Sequence, residues 1–178
     1  MSRIAIPAIE SATGATAEAY ALAKKTAGGV PNLFAALGHL TPEGLKAYLN
    51  AEGVVAAGTL SRQDRETIKL LVSEVAGCDY CVAAHSLLGK MAGLKPDTLR
   101  QIRAGEATGE PQRDALARFV RTLVQTRGTV SADAVEAIRA AGYSEVQLAE
   151  ISLVIALTVF TNLFNRINDT DVDFPPVE

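Results

Sequence analysis

The sequence predicts an all-α, single-domain helical bundle. Apolar side chains follow the spacing of one buried helical stripe, most clearly at Leu116, Phe119, Val120, Leu123 and Val124. Glycine and proline clusters such as Gly28–Pro31, Gly93–Pro96 and Gly109–Pro111 fall between such stretches. No stretch alternates apolar and polar residues for long enough to predict a strand. Because no repeat, linker or shift in composition divides the chain, we expect residues 1–178 to form one domain.

Capping and breaking residues predict where individual helices begin and end. Thr41-Pro42 places a capping residue before a proline at the first helical position. Ser61 precedes a helix that is expected to end at Gly77, and Cys78-Asp79 begin the next one. Ser144-Glu145-Val146-Gln147 resembles a capping box and opens the last long helix. The other expected breaks are Gly28–Pro31, Gly58, Gly93–Pro96, Gly109–Pro111, Gly128 and Gly142.

The most apolar segment, from Val146 to Leu163, predicts a buried core or interface helix rather than a membrane span. The polar residues that interrupt it are Gln147, Glu150, Ser152, Thr158 and Asn162. It carries more hydrophobic surface than a single buried stripe needs, so we expect the protein to be a homo-oligomer. At the end of this helix, Asn162, Asn165 and Arg166 are expected to cap it or to bridge subunits rather than to contact a substrate.

The segment after the last helix predicts an extended C-terminal tail, 171–178. It contains Phe174-Pro175-Pro176, which cannot continue a helix. Its apolar residues would be exposed to water unless they packed on protein. The tail is therefore expected to lie along its own subunit or to reach a neighbouring one.

Charge and composition exclude several classes of function. The formal net charge is −3 and no basic face is visible, which argues against a nucleic-acid partner. The N-terminus, Met1–Pro7, lacks the apolar run of a signal peptide, and no membrane partner is expected. The cytoplasm is the expected location. Thiols are kept reduced there, so a CxxC pair is more often redox-active or metal-binding than structural.

The two cysteines and one of the two histidines lie close together. Cys78, Cys81 and His85 are spaced i, i+3 and i+7, which places all three on one helical face. A thiol in the first turn of a helix faces unpaired backbone N–H groups, which favour the thiolate, and this argument alone would favour Cys78 as the attacking thiol. His85 is one turn from Cys81 and can carry protons. Glu66 joins them only if its helix packs beside theirs.

Four interpretations of this cluster are open. The spacing and compartment favour a redox-active dithiol. A zinc site would use Cys78, Cys81, His85 and a carboxylate such as Glu74. A closed structural zinc site usually takes three or four Cys and His ligands, and only three are clustered here. The other two alternatives are inert core cysteines and a thiol pair that senses oxidants without turnover.

The spacing Glu66, eleven residues, Cys78-x-x-Cys81, three residues, His85 resembles the signature of the alkylhydroperoxidase D-like branch of the carboxymuconolactone decarboxylase family. Other segments are similar to the peroxidase-related members of that branch, so the resemblance spans most of the chain. These segments are Val30–Phe34, Arg65–Ile68, Thr161–Arg166 and Asp173–Pro175. Decarboxylase members generally lack the cysteine pair, so its presence points to redox chemistry.

The resemblance implies a thiol-dependent peroxidase of all-helical, alkylhydroperoxidase D-like fold. In that scheme Cys81 attacks a small hydroperoxide and becomes a sulfenic acid, and Cys78 condenses with it to form a disulfide. Glu66 and His85, with a bound water, would relay protons. No cofactor or metal is implied. The expected partners are a dithiol, a thioredoxin-like protein or a lipoyl domain as reductant, and further copies of the chain in a trimer or hexamer, with a dimer as the minimal assembly.

Within the motif, this chain differs from the family at one position. The best-known peroxidase of the family has a histidine between its cysteines, where this chain has Tyr80. A phenol with a pKa near ~10 cannot replace an imidazole as a base at neutral pH. Tyr80 is therefore expected to be a packed aromatic residue at the mouth of the site.

Overall fold

The computed structural model describes residues 1–177, and within that range the chain is all-helical. A short 3₁₀ turn, Ile9–Ser11, precedes the first α-helix, and no strand occurs in the described residues. The helices are α1 (Gly14–Ala27), α2 (Asn32–Leu40), α3 (Pro42–Ala56), α4 (Arg62–Ala76), α5 (Asp79–Met91), α6 (Pro96–Ala104), α7 (Pro111–Gln125), α8 (Ala132–Ala140) and α9 (Glu145–Asn168). The predicted fold class is confirmed.

The predicted capping residues begin the helices for the expected reasons. The side chain of Thr41 accepts a hydrogen bond from the backbone of Gly44 at the start of α3. Ser61 does the same for α4. Ser144 and Gln147 form both hydrogen bonds of a capping box at the start of α9. Satisfying the free N–H groups of a helix start in this way stabilises each helix by about 1 kcal/mol.

The fold is built around α4. This helix packs against α5, α6, α7 and α9, and its side chains from Glu66 to Ser73 are all buried. The larger apolar cluster joins α4 to α6, α7 and α9. A smaller cluster joins α1, α2 and α3 to the start of α5, and it contains Cys78, Tyr80 and Cys81. The cysteines therefore lie where the α1–α3 layer meets the central helices.

The C-terminal tail packs on its own subunit as far as it is described. The Asp173 carboxylate accepts a hydrogen bond from the backbone N–H of Asn32 at 2.8 Å, which caps the start of α2. The side-chain amide of Asn32 donates to the carbonyl of Asp171 at 2.9 Å. The ring of Phe174 meets Tyr80 edge to face, with centroids 5.3 Å apart. The sequence left two placements open for the tail, and the structure has the tail along its own subunit.

One face of α9 is buried and the other is exposed. Ile151, Val154, Thr158 and Asn165 face the protein interior, where α9 packs against α4. By length and composition alone this 24-residue helix could cross a membrane, but buried amide side chains on its inner face are typical of a helix in a protein interior. The large apolar residues of the outer face are 37% to 65% exposed within the subunit.

Candidate active site

The two thiols lie at the junction between α4 and α5. Gly77 ends α4 with φ at +61°, a conformation that favours glycine, and this turns the chain sharply into α5. Cys78 is the N-cap of α5, and its Sγ accepts a hydrogen bond from the backbone N–H of Cys81 at 3.4 Å. Both cysteines are buried, 2% and 3% exposed, and they are not joined in a disulfide. The structure therefore holds a buried dithiol at the positive end of a helix dipole.

An amide side chain from α9 contacts the second thiol. Asn165 Nδ2 lies 3.2 Å from Cys81 Sγ and donates to it, and Asn162 Nδ2 donates to Ser73 Oγ at 3.1 Å. The Oδ1 atoms of both asparagines are buried and have no partner among the described residues. Each of these oxygens can accept a hydrogen bond from a thiol or from water.

The expectation that Asn162, Asn165 and Arg166 cap α9 or bridge subunits is wrong for the two asparagines. Both are buried within the subunit, 1% and 3% exposed, and serve the thiol site. Arg166 does cap a helix, but it is α4, because its Nη1 donates to the carbonyls of Ala76 and Gly77. The burial of the two asparagines could have been predicted from the sequence, because the spacing of Thr158, Asn162 and Asn165 continues the buried stripe of α9.

The two thiols hold their protons unequally. The pKa of Cys78 is lowered, first by a hydrogen bond from the Cys81 thiol, which outweighs the effect of burial, and further by the backbone N–H of Cys81 and the side chain of Asn162. The pKa of Cys81 is raised by the hydrogen bond to Cys78, by burial and by repulsion from the Cys78 thiolate. The first proton therefore leaves Cys78, as the position of that thiol at the helix start predicts.

The structure brings Glu66 and His85 together. Helices α4 and α5 pack side by side, and Glu66 Oε2 lies 2.9 Å from His85 Nδ1 with both side chains buried. Burial alone would raise the pKa of Glu66, but the hydrogen bond from His85 and the charges of His85, Lys69 and Arg62 lower it. An ionised carboxylate keeps the proton on His85 Nδ1, which leaves Nε2 as the ring atom that can accept or deliver a proton.

A second polar network borders this pair and was missed from the sequence. Lys69 Nζ lies 2.6 Å from Glu52 Oε2, and Tyr48 Oη donates to Glu52 Oε1 at 3.2 Å. The pKa of Tyr48 is raised by burial, by Glu52, and by the negative charges of Cys81 and Glu66, so its phenol lies within electrostatic range of both. Lys69 could have indicated this network, because it is a lysine within a buried run of α4 and needs an anionic partner there.

Tyr80 packs and anchors rather than moving protons. Its Oη accepts a hydrogen bond from the backbone N–H of Leu33 at 3.1 Å, and its ring contacts Phe174 of the tail. Burial raises the pKa of the phenol far above the neutral range. Tyr80 therefore ties the start of α2 and the C-terminal tail to the thiol helix.

The zinc alternative gains no support from the geometry. Glu74, the carboxylate considered for that site, pairs with Arg103 at 2.8 Å. Across residues 1–177 no three His, Cys, Asp or Glu side chains are grouped so as to hold a metal ion. The thiols instead share their cluster with partly exposed aromatic rings, including Phe34, Tyr48 and Phe164.

The hydrogen bond from Asn165 gives a direct test of the site. Asn165→Ala is expected to raise the pKa of Cys81 and to slow its alkylation by iodoacetamide about 10-fold or more, because a hydrogen bond to a charged group contributes about 1.5–3 kcal/mol. Asn168→Ala is the matched control, since Asn168 is also buried on α9 but bonds Thr170 and Ile4. An equal change in the two variants would contradict a specific role for Asn165.

Comparison with known proteins places these residues in a family context. The sequence model of the carboxymuconolactone decarboxylase family matches residues 42–118, a range that contains Glu66, Cys78, Cys81 and His85. The chain is also 34% identical over 47 residues to the uncharacterized protein YdfG of Bacillus subtilis (strain 168). That stretch is 26% of this chain and spans only about a third of the relative, 32%.

The fold is shared with solved structures over nearly the whole chain. A peroxidase-related protein from Ralstonia eutropha JMP134, described as an alkylhydroperoxidase AhpD core, superposes with a TM-score of 0.84 at 23% identity, covering 97% of this chain and 92% of that one. The debrominase Bmp8 superposes with a TM-score of 0.75 at 17% identity, covering 89% and 86%. The family match and the shared fold support the resemblance predicted from the motif: residues 42–118 match the carboxymuconolactone decarboxylase family, and the fold is that of the alkylhydroperoxidase D-like, peroxidase-related structures.

Proposed function

We propose that this protein is a dithiol-dependent peroxidase that reduces a small hydroperoxide and forms a disulfide between Cys78 and Cys81. Two observations carry the proposal: a buried, hydrogen-bonded dithiol at the start of α5, and a buried carboxylate–imidazole pair whose histidine lies on that same helix, four residues after Cys81. A thiolate, a resolving thiol and a proton carrier are the three groups that this reaction needs. The peroxidase-related names of structural neighbours support the same chemistry.

The proposed reaction balances without a cofactor. The Cys81 thiolate attacks the terminal oxygen of the hydroperoxide, the O–O bond breaks, and the alkoxide leaves with a proton as the alcohol. Cys81 is now a sulfenic acid. The Cys78 thiolate attacks the Cys81 sulfur, hydroxide leaves with a proton as water, and the disulfide forms. The sum is one hydroperoxide and two thiols giving one alcohol, one water and one disulfide.

The lower pKa of Cys78 places the first thiolate on Cys78, whereas the proposed order needs Cys81 as the nucleophile, so a proton must pass between the two thiols before the attack. A Cys78 thiolate that accepts a hydrogen bond from Cys81 can take the proton of Cys81 along that bond, which leaves Cys81 as the attacking thiolate beside Asn165 Nδ2. His85 Nε2, oriented by Glu66, then exchanges protons with the leaving oxygen and with Cys78 before the disulfide closes. Glu66 stays ionised throughout and holds the imidazole in one tautomer.

Return to the dithiol requires an external reductant. A small dithiol, a thioredoxin-like protein or a lipoyl group would attack the disulfide through a mixed-disulfide intermediate. We propose the cytoplasm as the setting, because its reducing systems keep such a pair reduced.

Steady-state turnover tests the proposal. With excess dithiothreitol, hydroperoxide is expected to be consumed many times per chain, and the Cys78→Ser, Cys81→Ser double variant is expected to be inactive. Consumption that stops after one equivalent per chain would identify an oxidant sensor instead of an enzyme. Bmp8 is a debrominase, so a brominated pyrrole is the comparison substrate, and turnover of that compound without turnover of any hydroperoxide would overturn the peroxidase assignment.

A further inference from the structure

A regular row of exposed apolar residues runs along the outer face of α9. We call it the α9 stripe, and it consists of Val146, Ala149, Leu153, Ala156, Phe160, Leu163 and Ile167. The spacing alternates strictly between three and four residues, the heptad pattern of a helix that packs along its length on another helix. Three of its large side chains are more than half exposed: Val146 at 59%, Leu163 at 58% and Ile167 at 65%. The stripe is about 32 Å long at 1.5 Å per residue.

We propose that the α9 stripe binds the α9 stripe of a second copy of this chain, with the two helices antiparallel. A two-fold axis between positions 154 and 155 places Leu153 opposite Ala156 of the partner subunit and Phe160 opposite Ala149. It also places Val146 opposite Leu163. In two of these three layers a large side chain faces an alanine, so the two surfaces interdigitate.

A parallel pair would lack this match. It would set Phe160 against Phe160 and Leu153 against Leu153, and it would leave gaps where Ala149 and Ala156 meet themselves. The self-complementarity of the stripe is what identifies a second copy, rather than an unrelated helix, as its occupant.

The charges at the two ends of the stripe favour the same orientation. Glu145 precedes the stripe and Arg166 lies beside its last residue. In the antiparallel pair each Glu145 lies near Arg166 of the partner subunit, whereas a parallel pair would bring like charges together. Both side chains also have partners within the subunit, Arg139 for Glu145 and the end of α4 for Arg166. The charge match therefore sets orientation more than affinity.

The contact reaches the candidate active site through Phe160. Its ring lies 6.0 Å from that of Tyr48, which bonds Glu52 and packs in the thiol cluster. Phe160 is 41% exposed in the single chain, and the partner helix would cover it. The second copy thus closes the outer edge of the aromatic cluster. A two-fold contact fits a dimer or a hexamer, whereas a lone trimer has no such axis.

Cross-linking of the full chain tests the orientation. Cys78 and Cys81 are first replaced by serine, and Val146→Cys and Leu163→Cys are made as separate chains. Antiparallel packing predicts a disulfide when the two chains are mixed and oxidised, and none with either chain alone, because identical positions are about 26 Å apart along the helix. A disulfide between two Val146→Cys chains would establish parallel packing and overturn the proposal.

A charge substitution tests the surface itself. Leu163→Glu is expected to weaken self-association at least about 100-fold in sedimentation experiments, because it buries a charge in the contact. Met91→Glu is the matched control, since Met91 is 62% exposed at the end of α5 and away from the stripe. Helical content measured by circular dichroism should be unchanged in both. A wild-type monomer of 18.7 kDa, or Leu163→Glu assembling like the wild type, would overturn the proposal.

Discussion

Replacing Cys81 by serine is expected to lower hydroperoxide reduction by about 10³-fold or more, because a serine hydroxyl at neutral pH cannot substitute for a thiolate nucleophile. Replacing Cys78 by serine is expected to stop the cycle at its midpoint instead. That variant should consume one hydroperoxide per chain and then retain a sulfenic acid on Cys81, since no resolving thiol remains. The roles of the two thiols are thus separable by their products.

Trapping the sulfenic acid with dimedone and mapping it by mass spectrometry measures this difference. The label is expected on Cys81 in the Cys78→Ser variant. A second readout is the pH dependence of alkylation, since the pKa of Cys81 is raised by its hydrogen bond to Cys78, by burial and by the Cys78 charge. Removing Cys78 should therefore lower the pKa of Cys81. Fast peroxide reduction with the label on Cys78 of the Cys81→Ser variant would reverse the assignment.

Removal of either member of the Glu66–His85 pair is expected to slow the reaction of Cys81 by about 100-fold, the usual scale for a positioned acid or base. His85→Ala removes the proton carrier, and Glu66→Ala removes the group that orients it. Glu66→Gln keeps the shape and a hydrogen-bond acceptor but loses the charge, so it should fall between Glu66→Ala and the wild type. Single-turnover kinetics with a hydroperoxide measures the effect.

Glu74→Gln is the matched control, because Glu74 is also a carboxylate on α4 but pairs with Arg103. Its rate should equal that of the wild type. If the rate and its pH profile were unchanged in His85→Ala and Glu66→Ala as well, no proton relay would run through this pair.

The same pair predicts how stability depends on pH. The folded pKa of Glu66 is lowered from its ordinary value of 4.5, so its pairing with His85 contributes stability above that value. The contribution is lost as the pH falls through the folded pKa. In Glu66→Gln this part of the acid destabilisation should be absent.

Local signals in the sequence were enough for the helices and for part of the site. Ser61 caps the start of α4, and Gly77 ends it in a left-handed backbone conformation. Both effects act within a few residues, so the sequence alone was enough to predict them. Helical periodicity alone predicted one face for Cys78, Cys81 and His85, and the structure places Cys78 one residue before α5 as its N-cap. Glu66 could be added only through the family resemblance, since its contact with His85 depends on how α4 packs on α5.

The rest of the site comes from helices that are distant in sequence. Asn165 reaches Cys81 across 84 positions, and Lys69 meets Glu52 from a neighbouring helix. Such contacts depend on the angles and registers at which helices cross, which a single amphipathic pattern does not determine. For the same reason the tail could not be placed. Its position depends on the Asp173 contact with Asn32 and on the Phe174 contact with Tyr80.

The most direct test of the dithiol mechanism is the intact mass of the protein after one equivalent of hydroperoxide, measured without reductant. The mechanism predicts a loss of two hydrogen atoms per chain, one alcohol released per chain, and full recovery of both thiols on adding a dithiol. Peptide mapping should place the new bond between Cys78 and Cys81. An unchanged mass, or a gain of two oxygen atoms on one cysteine without a disulfide, would contradict the dithiol mechanism.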